Sequence, residues 1–212
     1  MPEVYIDTDE YYTLTGGQRP TSADPRLDVI IETASRLFDR AHGVAPGMFA
    51  PISSTALTFT PDGGTTLYLR DTSGYQCFLR TITADSLKLD TDADGSFDDY
   101  LWDFADGWVR GLPENAAANG EPFTAIELNP SHASAPLSVW PTYKNSIQIT
   151  GTWGFASIPA AVKVRVADIA HALSQRSFAG GYGTEERLQV DGLPVWVMRM
   201  VDAEYNYRIP AL

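Results

Sequence analysis

The residues best placed to do chemistry are the aspartates of Asp90-Thr91-Asp92-Ala93-Asp94-Gly95-Ser96-Phe97-Asp98. Carboxylates at alternate positions before a glycine turn match the first half of a calcium loop. There, oxygens at positions one, three and five wrap a hard cation. Asp90, Asp92, Asp94 and Asp98 are the candidate metal ligands. Position twelve, where a bidentate acid closes such a loop, holds Leu101, and no helical pattern precedes the string. The favoured reading is therefore a β-hairpin tip, with Asp94-Gly95 supplying positive φ angles.

Other reactive side chains are scattered. Asp98 with Asp99, and Asp103 with Asp106, are acid pairs of the kind a glycosidase sets across a cleft, although a solvated surface is the simpler reading. His42, His132 and His171 stand apart, without zinc-protease spacing, and there is no Gly-x-Ser-x-Gly elbow. Gly180-Gly181-Tyr182-Gly183 lacks the Gly-Lys-Ser/Thr ending of a phosphate loop and reads as a linker. Cys77 is the only cysteine, which excludes an internal disulfide or a thiolate-rich zinc site; it reads as a small core residue. Nothing here points to catalysis, and no cofactor is expected.

The elements that carry these residues follow from periodicity. The first residues, to about Gly17, read as an extended arm or a short turn of helix. Asp24-Pro25 is an N-cap followed by a first-turn proline. Leu27, Ile30, Ile31, Ala34, Leu37, Phe38 and Ala41 then form one apolar helical stripe that stops at Gly43. From about Ser53 to Thr152 the period becomes two, with short strands around Leu57, Leu67, Tyr75–Thr83, Leu87, Phe123–Leu128, Leu137–Trp140 and Ile147–Thr150. Asp90 to Asp106 holds seven aspartates and no base, and should be solvated. After Pro159 helical spacing returns, with apolar residues around most of the cylinder. Such a helix needs cover on more than one side, so Val162, Val166, Ala167, Ala170 and Leu173 are expected at a subunit interface. Pro194 to about Asn206 suggests a last helix.

The expected fold is α+β: a small helical bundle (1–52 plus 157–212) with an antiparallel β-sandwich or barrel module (53–156) inserted after its first long helix. The chain has 212 residues, 44% of them hydrophobic, enough to build a packed core. The net charge of −12 argues against a general nucleic-acid binder and against a basic membrane-surface helix. No apolar run approaches the roughly 18 residues of a membrane span. Met1-Pro2-Glu3 is the wrong flank for a signal peptide, so folding in a reducing cytoplasm is the expectation.

The most distinctive block runs from Trp140-Pro141 through Ile147-Gln148-Ile149-Thr150-Gly151-Thr152-Trp153-Gly154-Phe155 to Pro159. It reads as a strand that ends at two glycines, packs an indole at a corner and hands over to a proline-started helix. Trp140, Gly151, Trp153 and Gly154 are the corner residues. This block resembles the head–tail connector (adaptor, or head-completion) proteins of long-tailed bacteriophages, in which a Val-x-Val-Thr-Gly-Thr-Trp-Gly-Tyr strand precedes a proline and an alanine-rich helix. Asp92-Ala93-Asp94-Gly95, Pro113-Glu114-Asn115 and the helix Pro25–Ala41 also fit that pattern, and Tyr205-Asn206-Tyr207-Arg208 approximates its closing string. The resemblance spans about residues 24–205, with Thr150-Gly151-Thr152-Trp153-Gly154 its specific part.

The resemblance implies a non-enzymatic structural protein of the virion neck, assembled in the host bacterial cytoplasm. It implies a homo-oligomeric ring, usually dodecameric, between the portal protein and a tail-side connector or tail terminator protein. DNA would pass through its channel without specific binding, and an acidic wall would favour sliding over sticking. No membrane is involved. A calcium-dependent or carbohydrate-binding β module is the alternative.

Overall fold

The structure is a computed structural model, and it describes residues 4–18, 24–129, 131–132, 136–178, 189–190 and 193–194. The chain is α+β and divides into two compact units: 1–47 with 158–212, and 48–157.

The helical unit holds α1 (Thr8–Thr15), α2 (Pro25–Ala41) and α4 (Ala160–Phe178). Of the two readings of the first residues, arm or short turn of helix, the structure has a helix, α1, of eight residues. Its start is a capping box, in which Asp7 accepts from the Glu10 N–H at 2.8 Å and the Glu10 side chain accepts from the Asp7 N–H. Asp24 caps α2 by accepting from the Arg26 N–H at 2.9 Å. Leu27, Ile31, Ala34 and Phe38 form the buried face of α2. Ser35 and Asp39 share that face and are themselves buried. The Tyr5 hydroxyl donates to Asp39, Gly47 N–H donates to it at 3.1 Å, and Arg36 pairs with it at 2.9 Å. Burial nonetheless raises the Asp39 carboxyl to about 6, against the lowering pull of Tyr5, Arg36 and Gly47.

The β unit contains two antiparallel sheets. One runs in the order β1 (Ile52–Phe59), β7 (Ile147–Trp153), β3 (Leu79–Leu89), β4 (Tyr100–Trp102). The other runs β2 (Thr66–Tyr68), β6 (Ala125–Leu128), β5 (Val109–Leu112). Leu79 and Phe123 exchange backbone hydrogen bonds of 2.9 and 2.7 Å, tying the sheets together. The sheets are sandwich-like and do not close into a barrel. The core is aromatic, with Trp102, Trp140 and Trp153 all fully buried. A single turn of helix, α3 (Ala116–Asn119), joins β5 to β6.

Several expected elements differ. Leu137–Trp140 is not a strand; it is held by Trp140, whose N–H donates to the Gly64 carbonyl and whose indole Nε1 donates to Thr65, both at 2.9 Å. β3 is continuous across its two expected pieces, with a register shift between Ile82 and Leu87 where Asp85 takes a φ of 53°. β4 lies within the acidic stretch that was expected to be a solvated loop or hairpin tip, and β5 follows it. The closing helix expected over 194–206 falls outside the described residues except Pro194, which ends the short hairpin β8 (Gln189–Val190) and β9 (Leu193–Pro194). Gly180–Gly183 also lies outside them.

Candidate functional site

Two constellations and one helix face carry the candidate residues. At the corner, β7 is the second strand of its sheet, flanked on both sides, and alternates buried with half-buried positions. Trp153 pairs with Ile52 on β1 and Leu79 on β3. Its ring is fully buried beside Phe59, 5.7 Å between centroids, and its Nε1 donates to the Thr55 carbonyl at 2.8 Å. A Cβ on Gly151 would stand 2.1 Å from the Thr81 carbonyl oxygen. Gly154 has a φ of +75°, and a Cβ there would stand 1.9 Å from the Ala50 oxygen. Both positions exclude side chains because backbone occupies the space. The Thr-Gly-Thr-Trp-Gly string is therefore a backbone-crowding device around one buried indole. Phe155 continues it by stacking on Phe49, 5.8 Å apart at 16°.

At the acidic tip, β3 and β4 form a hairpin whose loop is residues 90–99. Positive φ falls on Ala93 (66°) and Gly95 (87°), not on Asp94. Asp90 is buried, contrary to the solvated expectation, and its two carboxylate oxygens accept from Ala93 N–H at 2.7 Å and Gly95 N–H at 3.0 Å. Asp99 accepts from both the N–H and the hydroxyl of Thr91, bonds that hold its carboxyl below the usual carboxylate range. Asp92 and Asp94 accept from Asp94 and Ser96 N–H groups.

Among the described residues, one acidic group brings oxygens within 4.8 Å of each other: Asp90, Asp92 and Asp99. The expected set is thus corrected. Asp94 and Asp98 stand outside the cluster, and Asp99 joins it because the hairpin folds its far end back onto Thr91. Calcium takes six to eight oxygens. Asp90 has both oxygens occupied by loop N–H groups, so the donor set is only a partial fit.

The helix face gives the second correction. Val162, Val166, Ala167 and Ala170, expected to meet another subunit, are buried inside the chain itself, with Val166 and Ala170 at 0% exposure. Leu173 is half-buried. α4 packs against both α2 and α1, so the two-sided cover it needs comes from its own unit. Tyr11 on α1 reaches His171 Nδ1 at 3.2 Å and Ser174 at 3.3 Å, and Glu10 pairs with Lys163. Among the described residues, the exposed large apolar residues of these helices are instead Leu14 on α1, Val29 on α2 and Val164 on α4.

The remaining candidates hold structure. Asp103 and Asp106 accept each other's backbone N–H groups, at 3.2 and 2.9 Å, and so close the β4–β5 turn. Cys77 is buried, and its thiol is pushed up to about 12 by desolvation first and by Asp71 second, which keeps it protonated. His42 Nδ1 bonds the Phe38 carbonyl at 2.9 Å. Among the described residues, no helix is long and apolar enough to cross a membrane. Compared with known protein families and with curated proteins, the chain matches none.

Proposed function

We propose that this protein is a structural adaptor of a bacteriophage neck, a non-enzymatic homo-oligomeric ring between portal and tail that surrounds the DNA channel. The observation that carries this reading is the corner at Gly151-Thr152-Trp153-Gly154, where two glycines admit neighbouring backbone and one indole is sealed in, ahead of the Pro159-started helix. That string is the specific part of the resemblance to head–tail connectors, and its geometry explains why those residue types are needed. The inserted β unit between two helical segments and the net charge of −12 support the same reading. The ring interface cannot be the buried face of α4, so the subunit contacts belong to exposed surfaces. The chain would be a virion component, partnered by a portal protein and a tail-side connector or terminator.

The test is genetic. Deleting the gene from the phage that carries it should yield DNA-packaged heads and separate tails, restored to infectious virions by the gene supplied in trans. Normal virions from the deletion would overturn the reading. The second reading, a calcium-dependent β module, is favoured by the proximity of Asp90, Asp92 and Asp99. It requires a melting temperature that rises with calcium and falls back with chelator.

A further inference from the structure

A cleft of about 290 Å³ opens in the β unit beside the outer strands of both sheets. Thr58 lines it from β1 and Tyr68 from β2. Arg70 and Lys144 line it from the turns that follow β2 and precede β7. Both side chains are exposed, and neither side chain has a hydrogen-bond or ion-pair partner among the described residues. That is unusual for this unit, which carries thirteen acids and five bases between residues 48 and 157. Arg110 pairs with Glu114 and Glu127, and Arg80 bonds Thr152 and Phe155. Of the three bases left, Arg70, Lys88 and Lys144, two share this cleft. Asp62 and Asp71 line it too and keep their charge, but each is drawn into its own turn and pairs with neither base: Gly64 N–H donates to Asp62 at 3.0 Å, and Ser73 and Tyr75 N–H groups donate to Asp71 at 2.9 Å.

The acidic tip stands at the same end of the sheet. One cross-strand row reads Phe59, Ile147, Leu89, Tyr100. The tip leaves that row at Leu89 and returns at Tyr100; the cleft adjoins it at Thr58 and Thr60. Two strand spacings, roughly 10 Å, separate β1 from β3. One sheet end therefore bears free cations at its β1 margin and five aspartates without a base at its β3–β4 margin. Asp92, Asp94 and Asp98 are exposed there.

We infer that the Arg70/Lys144 cleft is the docking site for the acidic β3–β4 tip of a second copy of this chain. The contact is heterologous, with tip and cleft at the two edges of one sheet end, and a heterologous contact closes into a ring where its repeated rotation returns on itself. Arg70 supplies a fork for a carboxylate and Lys144 a point charge. This inference rests on the ring reading and names the contact that builds the ring.

Charge exchange in the full-length protein tests it. One variant carries Arg70→Glu and Lys144→Glu; the other carries Asp94→Lys and Asp98→Lys, giving up the single Ser96 N–H bond to Asp94 and sparing Asp90 and Asp99, each of which takes two loop hydrogen bonds. Thermal melts first establish that both fold. In sedimentation velocity at low salt, the unaltered protein should self-associate, and each variant alone should do so about tenfold more weakly or less. The equimolar mixture should regain association, because each variant then meets its complement. High salt should weaken the unaltered assembly. No self-association of the unaltered protein, a folded variant that assembles normally, or a mixture that fails would each overturn the contact. A ring indifferent to these substitutions leaves the neck reading standing. Normal virions from the gene deletion, with the charge exchange behaving as stated, would remove the neck reading and leave this contact.

Discussion

The corner around Trp153 and the tip around Asp94 sit in the same β unit and obey opposite rules. At the corner, backbone fills the space where side chains would go, and the one large side chain is sealed in with its indole N–H paired. At the tip, the side chains are mostly exposed carboxylates that hold their own loop's N–H groups, and the space around them is open. Composition at the corner is fixed by sterics, which tolerate no exchange. Composition at the tip is fixed by hydrogen bonding, which asparagine also satisfies at Asp92 and Asp94 though not at Asp90, whose two oxygens both accept, and by charge. The corner is therefore where fold is specified, and the tip is where interaction is free to be.

The largest effect separating the two regions is expected at Gly154. Gly154→Ala places a Cβ in a left-handed conformation and into the Ala50 carbonyl, and should leave insoluble or molten protein. Trp153→Ala, which empties a fully buried site, should cost about 3–5 kcal/mol. Soluble yield reads the first and urea denaturation beside the parent the second; a soluble, folded Gly154→Ala protein or a Trp153→Ala midpoint equal to the parent's would erase the distinction.

Next comes Ala167→Arg. Had α4 faced a neighbour, this variant would stay folded and fail only to assemble. With Ala167 at 1% exposure, the guanidinium enters the core of the helical unit, and a loss of several kcal/mol is expected. Circular dichroism of the helical signal decides: a variant that melts like the parent would return α4 to the surface.

The corner was legible because its residue types are themselves steric statements: paired glycines, an indole and a following proline. α2 was legible from Asp24-Pro25 and its apolar stripe. α1 was left between an arm and a short turn of helix because its residues lack an apolar period, although Asp7 and Glu10 spell a capping box. β4 and β5 were missed because the acids around Tyr100-Leu101-Trp102 and Val109 masked short strands whose pairing is long-range. The apolar wrap of α4 was read correctly as needing two covers, but sequence could not show that α1 and α2 provide both. Ser35 and Asp39 sit four apart beside the stripe of α2, a spacing that places them on its buried face. Asp99 entered the acidic cluster through a hairpin closure that no local spacing encodes.

Asp39 sharpens the contrast between a buried acid and the exposed ones. With the folded carboxyl raised to about 6 from 3.8, the folded state holds a proton between about pH 4 and 6 that the unfolded chain has released. The contribution of this group to stability is thus fully present below about pH 4 and is lost as pH rises through 6, a change of about 3 kcal/mol. Denaturation of the parent and of Asp39→Asn across that range should show a slope in the parent that the variant lacks; parallel profiles would mean that Asp39 titrates as an ordinary acid.

The smallest effect belongs to the tip. Asp92→Asn with Asp94→Asn keeps the accepting oxygens and relieves repulsion, so stability should change by less than about 0.5 kcal/mol, with or without calcium. A calcium-dependent rise in melting temperature that disappears in this variant would promote the tip from interaction surface to metal site.

The ring proposal meets its most direct test in electron microscopy of the full-length protein incubated with the portal protein of the phage proposed to carry it. The account predicts a closed ring of this chain stacked on one end of the portal, with a central channel wide enough for duplex DNA. Unaltered portal particles, with this protein left as free monomers at micromolar concentration, would contradict it.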